Sequence, residues 1–375
     1  MRPSIDALRI YHSGVVTDYR QRDRELLRHG VRVVLVTARR WNEGGGTVTL
    51  NPANDRFVVG VGTLGRHPYL FVYDPRPLVR LLRSRHFDVI DAHEEPAALA
   101  TAEIVLLRRL LQPRARLTMY SAQNIPKRYP LPFRWLERLA LRSADAVHCC
   151  NQAAADNLRA KGFTGRLSVL GLGVDVANFR PADADQPANA GPTTGGLRVG
   201  FVGRLEARKG VWVLLDAMAQ LAAAGVTLTF FGDGPDRLDL QGEIERRGLS
   251  ASVRVEGFRN YDDLPAVYRA LDVVCVPSLP TARWVEQFGR VAVEAMASGV
   301  PVVASTCGSL PEVIGDAGLL VPPGDVPALV DGLTRLANDA GLRSELAQRG
   351  RVQAQQYDWS EIAQAQRRLY LEVLK

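Results

Sequence analysis

Short apolar runs alternate with amphipathic stretches along almost the whole 375-residue chain, and this alternation constrains the fold more than any single residue does. Leu8–Tyr11, Val31–Thr37, Phe57–Val61, Phe87–Ala92, Arg116–Tyr120, Ala144–Cys149 and Leu167–Leu170 read as strands. Between them Thr17–His29, Pro75–His86, Pro96–Leu111, Phe133–Arg142 and Gln152–Lys161 read as helices, and the Gly-rich Arg39–Asn54 as irregular. Apolar strands joined through helices imply a parallel sheet covered on both faces. The pattern breaks over Val176–Gly196, where PADADQPANAGPTTGG has no periodicity and reads as a linker, and restarts at Leu197–Val202. The expectation is an α/β chain of two doubly wound domains, residues 1–175 and 197–357, joined by linker 176–196. Each sheet takes ligands beyond the carboxyl ends of its strands, which places the active site in a cleft where the two face each other. A last helix, Asp358–Leu374, carries Trp359 and Tyr370 as aromatic anchors.

Length and composition bound the rest. A hydrophobic content of 46% and a charged content of 23% are those of an ordinary soluble protein with two cores. No apolar run reaches membrane-spanning length and MRPSIDALRIYHS lacks the apolar segment of a signal peptide, so the expected location is cytoplasmic, with peripheral contact at the inner membrane face left open. The net charge of +7 suits phosphorylated substrates or anionic surfaces, but no basic block with interleaved aromatics marks a nucleic-acid module. Cys149, Cys150, Cys275 and Cys307 fit neither a zinc site nor a disulfide framework. Asp183 and Asp185 match a DxD metal pair only in letters, because the linker has no strand to hold them; neither a cofactor nor a metal is expected.

The chemistry concentrates in WVEQFGRVAVEAMASGVP, Trp284–Pro301. The strand-like run Leu271–Val276 precedes it, and Val291, Ala292, Ala295 and Met296 recur at helical spacing until Gly299. A helix starting near Gly289 offers its first amides and its positive dipole end to a phosphate. Glu286 stands just outside that helix and Glu294 a turn inside it. Two carboxylates would repel a phosphate, but they suit hydroxyls on either side of one, as in a nucleotide-sugar. Upstream, Gly203 lets the chain turn at a strand end, and Arg204 and Lys209 place two cations there. Fixed cations stabilise the charge of a departing diphosphate more than they stabilise the ground state. Gly232-Asp233-Gly234-Pro235 is a second tight turn after Val226–Phe231.

Taken in order, FVGRLEARKG, FFGDGP, EQFGRVAVEAMASGVPVVAS, GSLPEVI and LLVPPGD resemble retaining glycosyltransferases of the GT-B fold, notably glycosyltransferase family 4 with its E-x7-E motif. The resemblance implies a metal-independent hexosyltransferase with a nucleotide-sugar donor and a glycan, lipid-linked or small-molecule acceptor. It implies that Arg204 and Lys209 hold the diphosphate, Glu286 the sugar hydroxyls and Glu294 the ribose diol, with the backbone of Phe288, Gly289, Arg290 and Val291 seating the distal phosphate. It places the base beside Gly257 and Phe258, after the strand Val253–Glu256. It also implies that Gly14, in the loop after the first strand, approaches the donor, and that the final helix crosses back to the first domain.

The first domain departs from the family pattern. The loop at Ser13-Gly14 has one glycine where a pair is frequent. Where many members place a donor-contacting His, this chain has Tyr120-Ser121-Ala122-Gln123-Asn124. Gln123 or Asn124 can donate a hydrogen bond but cannot act as a base, which fits a mechanism with the departing phosphate oxygen as proton acceptor. His93, in His93-Glu94-Glu95-Pro96 at a strand end, is the candidate base or sugar ligand. In KRYPLPFRWLERLALR, Lys127–Arg142, a helical wheel puts Arg134, Arg138 and Arg142 on one stripe and Trp135, Leu136, Leu139 and Ala140 on the other side, the pattern of a helix lying at an anionic membrane. The alternatives are a sugar-phosphate phosphorylase or epimerase on the same fold, and a non-enzymatic protein binding nucleotide-sugar or nucleic acid.

Overall fold

A computed structural model describes residues 4–43, 46–52, 55–181 and 196–375; Asp183 and Asp185 and most of the 176–196 segment lie outside them. The chain divides into two compact units, Met1–Gly171 with Trp359–Lys375, and Leu172–Asp358.

The first unit is built on seven parallel strands: β1 Ile5–Ile10, β2 Val31–Ala38, β3 Val58–Val61, β4 Val89–Ala92, β5 Arg116–Ser121, β6 Ala146–Cys149 and β7 Arg166–Val169, in the order β7-β6-β5-β4-β1-β2-β3. Strand order therefore reverses between β1 and β4, where a doubly wound sheet opens a crevice at its carboxyl edge. The register pairs Ile10 with both Val36 and Ala92, so the residues after β1 and β4 emerge side by side. The connecting helices are α1 Gln21–Arg28, α2 Pro75–Ser84, α3 Leu99–Leu111, α4 Phe133–Ser143 and α5 Gln152–Ala160. Side-chain alternation divides the strands between two faces. Leu8, Ile10, Ile90, Leu117, Met119 and Val147 join one buried cluster, whereas Ile5, Ala7, Val31 and Val89 join a second with Ala363 and Tyr370.

Two local readings are corrected here. The helix expected from Thr17 starts at Gln21, after short 3-10 turns at His12–Val15 and Asp18–Arg20. The segment expected to be irregular contains an antiparallel pair, Arg40–Glu43 with Gly46–Thr49, which buries Trp41. Its β-branched Thr47, Val48 and Thr49 favour the extended backbone more than the neighbouring glycines oppose it.

The second unit has six parallel strands: β8 Arg198–Val202, β9 Thr227–Phe231, β10 Val253–Val255, β11 Val273–Val276, β12 Val302–Ser305 and β13 Gly318–Val321, in the order β10-β9-β8-β11-β12-β13. Its helices are α6 Val211–Leu221, α7 Arg237–Arg246, α8 Leu264–Arg269, α9 Arg290–Ala297, α10 Leu310–Ile314, α11 Val326–Asn338 and α12 Ala340–Gln355. Val199, Phe201, Leu228 and Phe230 pack on one face of this sheet, and Val274, Val276, Val302 and Ala304 on the other.

The chain then returns to the first unit as α13, Trp359–Val373, which lies against α1. A row of polar side chains on four adjacent strands waits beneath it: Arg9, Asp91, Thr118 and His148, all buried. Asp91 collects Arg9 Nε at 2.9 Å, Thr118 Oγ1 at 2.9 Å, His148 Nε2 at 3.2 Å, Gln366 Nε2 at 2.7 Å and Tyr370 Oη at 2.9 Å. Arg9 also pairs with Asp23 of α1 at 2.5 Å. Burial alone would raise the Asp91 carboxyl, but His148, Arg9 and His93 overcome it and hold it well below the usual range. His93 is pushed down by burial first and then by Arg9, and His148 by burial, with Asp91 opposing the shift and Arg22 and Arg9 adding to it.

Candidate active site

In the second unit, the tight turns gather at the carboxyl edge of the sheet. Gly203 follows β8 and Gly232 follows β9, both at φ 149°, and a Cβ on Gly232 would stand 1.8 Å from the Gly203 carbonyl oxygen. Only glycine lets these two turns touch. Arg204 leaves the first turn half-exposed and lies 3.6 Å from Glu206, which also holds Arg208 at 2.9 Å. Lys209 reaches across to Glu286, Nζ to Oε2 2.8 Å, and lies 4.8 Å from the centre of the Trp284 ring, with Arg208 on the same ring at 4.6 Å. Glu286 is nearly buried. Ser278 Oγ donates to the same carboxylate oxygen at 2.8 Å, and the Ser309 amide donates to the Glu286 carbonyl at 3.0 Å. Gly308 packs so closely that a Cβ there would stand 2.1 Å from that carbonyl. The carboxylate is thus fixed by two chain segments besides its own.

Helix α9 starts as the motif predicts. Gly289, at φ 81°, is its N-cap residue and brings no side chain to cap it. Within the same helix Glu294 is 2% exposed. Tyr268 Oη donates to its Oε2 at 2.8 Å and Arg290 Nε lies 3.3 Å from its Oε1. Burial pushes the Glu294 carboxyl up, while Arg290 and Tyr268 pull it down. The two glutamates therefore differ in setting: Glu286 sits on a Lys and a Ser, Glu294 on an Arg and a Tyr. Phe288 is buried in the core, so only its backbone is available to a ligand, whereas the Phe258 ring after β10 stands 72% exposed. Gly257 at φ 44° turns the chain there, and its carbonyl accepts from the Gly232 amide at 2.9 Å. Gly203, Arg204, Lys209, Glu286, Gly289, Arg290, Val291 and Glu294 thus share one sheet edge, with Phe258 two strands away on it.

In the first unit, the predicted residues also end up at the carboxyl edge, with different surroundings. Gly14 is buried in the turn after β1, where a Cβ would meet Thr37 Oγ1 at 3.0 Å. His93 lies flat on Tyr120, ring centres 4.0 Å apart and planes 13° apart, with Arg9 3.4 Å from its Nδ1. Such a ring, kept neutral by burial and by Arg9, is poorly suited to gain a proton. Gln123 spends its amide on the Ile125 carbonyl at 3.0 Å, and Asn124 is half-buried beside it.

Asp91, His93 and His148 stand close enough together to resemble a metal cluster, although no sequence spacing links them. The three come from two distant parts of the chain, so spacing could not reveal them. Both Asp91 oxygens accept from neighbours and the buried Arg9 guanidinium lies beside the cluster, whereas the buried His148 Nδ1 has no hydrogen-bond partner. Residues given no role from the sequence are Ser278, Trp284 and Tyr268, which touch site groups, and the pair His12 and Glu94. Only His12 carried a signal, as a histidine at the end of an apolar run.

Arginine side chains and part of the apolar face of α4 share solvent. Glu137, Ala140 and Leu141 point into the unit, while Trp135 is 60% and Leu131 50% exposed, next to exposed Leu139, Arg134, Arg138 and Arg142. The expected division, with Trp135, Leu136, Leu139 and Ala140 on one apolar side, is thus corrected: the packing stripe runs along the spacing 137, 140, 141 and 144.

Comparison with known proteins adds the following. Residues 13–178 match the model of Glycosyltransferase Family 4 and residues 184–353 that of Glycosyl transferases group 1. A 2-deoxystreptamine glucosyltransferase of Streptomyces kanamyceticus is 35% identical over 236 residues, 60% of this chain and 60% of that protein. A D-inositol 3-phosphate glycosyltransferase of Salinispora arenicola is 36% identical over 232 residues, 56% of this chain and 50% of that protein. The chain thus spans between half and two thirds of these relatives. Among solved structures, sucrose-phosphate synthase from Thermosynechococcus elongatus has TM-score 0.74 at 23% identity, covering 98% of this chain and 99% of that one. HepE of Anabaena in complex with UDP has TM-score 0.74 at 23% identity, covering 99% and 100%.

Proposed function

Because the chain belongs to the GT-B glycosyltransferases of the family 4 type, we propose that it moves a hexose from a nucleotide-sugar to an acceptor hydroxyl with retention and without a metal. The observation that carries this reading is the joint placement of Lys209, Glu286 and the glycine-led start of α9 at one sheet edge. In this reading Arg204, Lys209 and the amides from Phe288 to Val291 take the diphosphate. Glu286, held by Ser278, receives the sugar hydroxyls and Glu294 the ribose diol. Phe258 and the turn at Gly257 border the base. His93 and Gln123 serve as positioning groups in the first unit rather than as bases, because each is already engaged. The names of the relatives suggest an acceptor of the cyclitol class, a ring compound rich in hydroxyls.

The test is release of nucleoside diphosphate from a panel of UDP- and GDP-hexoses with inositol phosphates and 2-deoxystreptamine as acceptors, run with and without a chelator. Transfer that survives chelation, with a product keeping the donor's anomeric configuration by NMR, is the expected result. Hydrolysis without transfer, or a loss restored by Mg²⁺, would overturn the reading. The two glutamates divide the work in a measurable way. By calorimetry, Glu294→Ala should weaken binding of the free nucleoside diphosphate, and Glu286→Ala should spare it while slowing transfer. Equal loss of affinity in both would refute the division.

The exposed Trp135, Leu131 and Leu139 beside Arg134, Arg138 and Arg142 favour a second feature, docking of α4 on an anionic membrane. Each basic residue near such a surface contributes about 1 kcal/mol. Sedimentation with vesicles of graded phosphatidylserine content should show binding at low salt that a variant with Gln at 127, 128, 134 and 138 lacks. Equal sedimentation of both would reduce α4 to a packed helix.

A further inference from the structure

Residues 279–285 join Ser278 to Glu286 and are tied down along their length. The Leu279 amide donates to the Arg208 carbonyl at 2.8 Å. Thr281 and Trp284 form an isolated antiparallel bridge, with the Thr281 amide 2.8 Å from the Trp284 carbonyl. Thr281 Oγ1 donates to that carbonyl at 3.3 Å and accepts from the Arg283 amide at 3.3 Å. The turn so fixed sets the half-buried Trp284 against the 3-10 turn Ala207–Lys209. Arg208 Cζ lies 4.6 Å and Lys209 Nζ 4.8 Å from the centre of the indole. Arg208 Nε also donates to Glu206 at 2.9 Å, and Lys209 Nζ to Glu286 at 2.8 Å. Each cation is therefore held by a carboxylate and by the same ring.

An aromatic ring holds a cation through its quadrupole and carries no net charge of its own. A second carboxylate could fix Lys209 as firmly, but it would offset the charge that a diphosphate needs. An ammonium has three donors on a flexible stem, and Glu286 takes one of them. The Lys209 side chain is 25% exposed, so without the ring its stem is free to swing into water. We propose that Trp284 is a positioning residue of the donor site: kept in place by its turn and by Arg208, its ring holds the Lys209 ammonium where it meets the diphosphate; this rests on the transferase reading above. Trp284 touches no reacting atom in this role and acts through Lys209. All the groups concerned belong to the second unit.

The full chain carrying Trp284→Leu, Trp284→Phe, Lys209→Met, or Trp284→Leu with Lys209→Met tests it. The measurements are turnover at saturating concentration of the best donor of the panel, and Tm as the check on folding. Leucine keeps apolar bulk without a π face, whereas phenylalanine keeps a π face. Trp284→Leu should lower turnover about tenfold, and Trp284→Phe should recover most of that loss. In the Lys209→Met background, Trp284→Leu should change the residual rate by less than about twofold, because the group it positions is gone. Turnover of Trp284→Leu within about twofold of the parent would overturn the proposal. So would equal losses in the Leu and Phe variants, which mark packing alone, or losses that multiply in the double variant. If the parent transfers from no donor, the transferase reading fails and takes this assignment with it. If the parent transfers and Trp284→Leu does equally well, only the role of Trp284 falls.

Discussion

Lys209→Ala is expected to lower glycosyl transfer by about 100-fold or more, with Arg204→Ala close behind, because each removes a fixed charge aimed at the departing diphosphate. Lys209 has the larger expected effect for a structural reason. Its ammonium is held on Glu286 at 2.8 Å and against the Trp284 ring, whereas Arg204 is half-exposed and 3.6 Å from Glu206. A group already held in place loses little freedom when the transition state forms. Removing Lys209 also leaves the Glu286 carboxylate, nearly buried, with Ser278 but without its counter-charge. Initial rates with saturating donor, beside calorimetry of the free nucleoside diphosphate, check this. Rates within about threefold of the parent in both variants, with unchanged Tm, would rule out the anionic grip.

Asp91→Ala is expected to destabilise the first unit by about 3–5 kcal/mol, the range for breaking a buried ion pair on one side only. The loss would leave Arg9 with Asp23 alone and strip partners from His148, Gln366 and Tyr370, so α13 should loosen from the sheet. Urea unfolding and the hydrogen exchange of 359–373 measure both effects. A stability within about 1 kcal/mol of the parent would show that the network contributes little. The same network makes stability fall on acidification. His93 and His148 have folded-state basicity below the ordinary 6.5, so below that pH the unfolded chain takes up protons that the fold refuses. The carboxyl of Asp91, held down in the fold, adds to the loss at lower pH, once the unfolded chain's carboxyl begins to protonate.

Strand and helix period and the order of glycine turns were legible because each is a local property. Apolar runs such as VRVVLVT bury on both faces whatever their partners are, and Gly203 and Gly289 answer to backbone angles that the neighbouring residues impose. The E-x7-E spacing was legible for the same reason: eight residues across a loop and one helical turn bring both carboxylates to one sheet edge. Even the buried polar row left a trace, since Arg9, Asp91, Thr118 and His148 each stand between apolar residues within a strand.

Which charge meets which was not legible. Lys209 and Glu286 are 77 residues apart, His12 and Glu94 82, Tyr370 and Asp91 279. Those pairs exist because strand order reverses between β1 and β4 and because α13 returns to the first sheet. The sequence by itself determined the period, the turns and the start of α9 after Gly289, all set by interactions within about ten residues. Only the tertiary structure decided the protonation and partnership of the buried groups. A carboxylate's charge state depends on how much water is removed and which cation replaces it, and both are supplied by segments that the local sequence does not name.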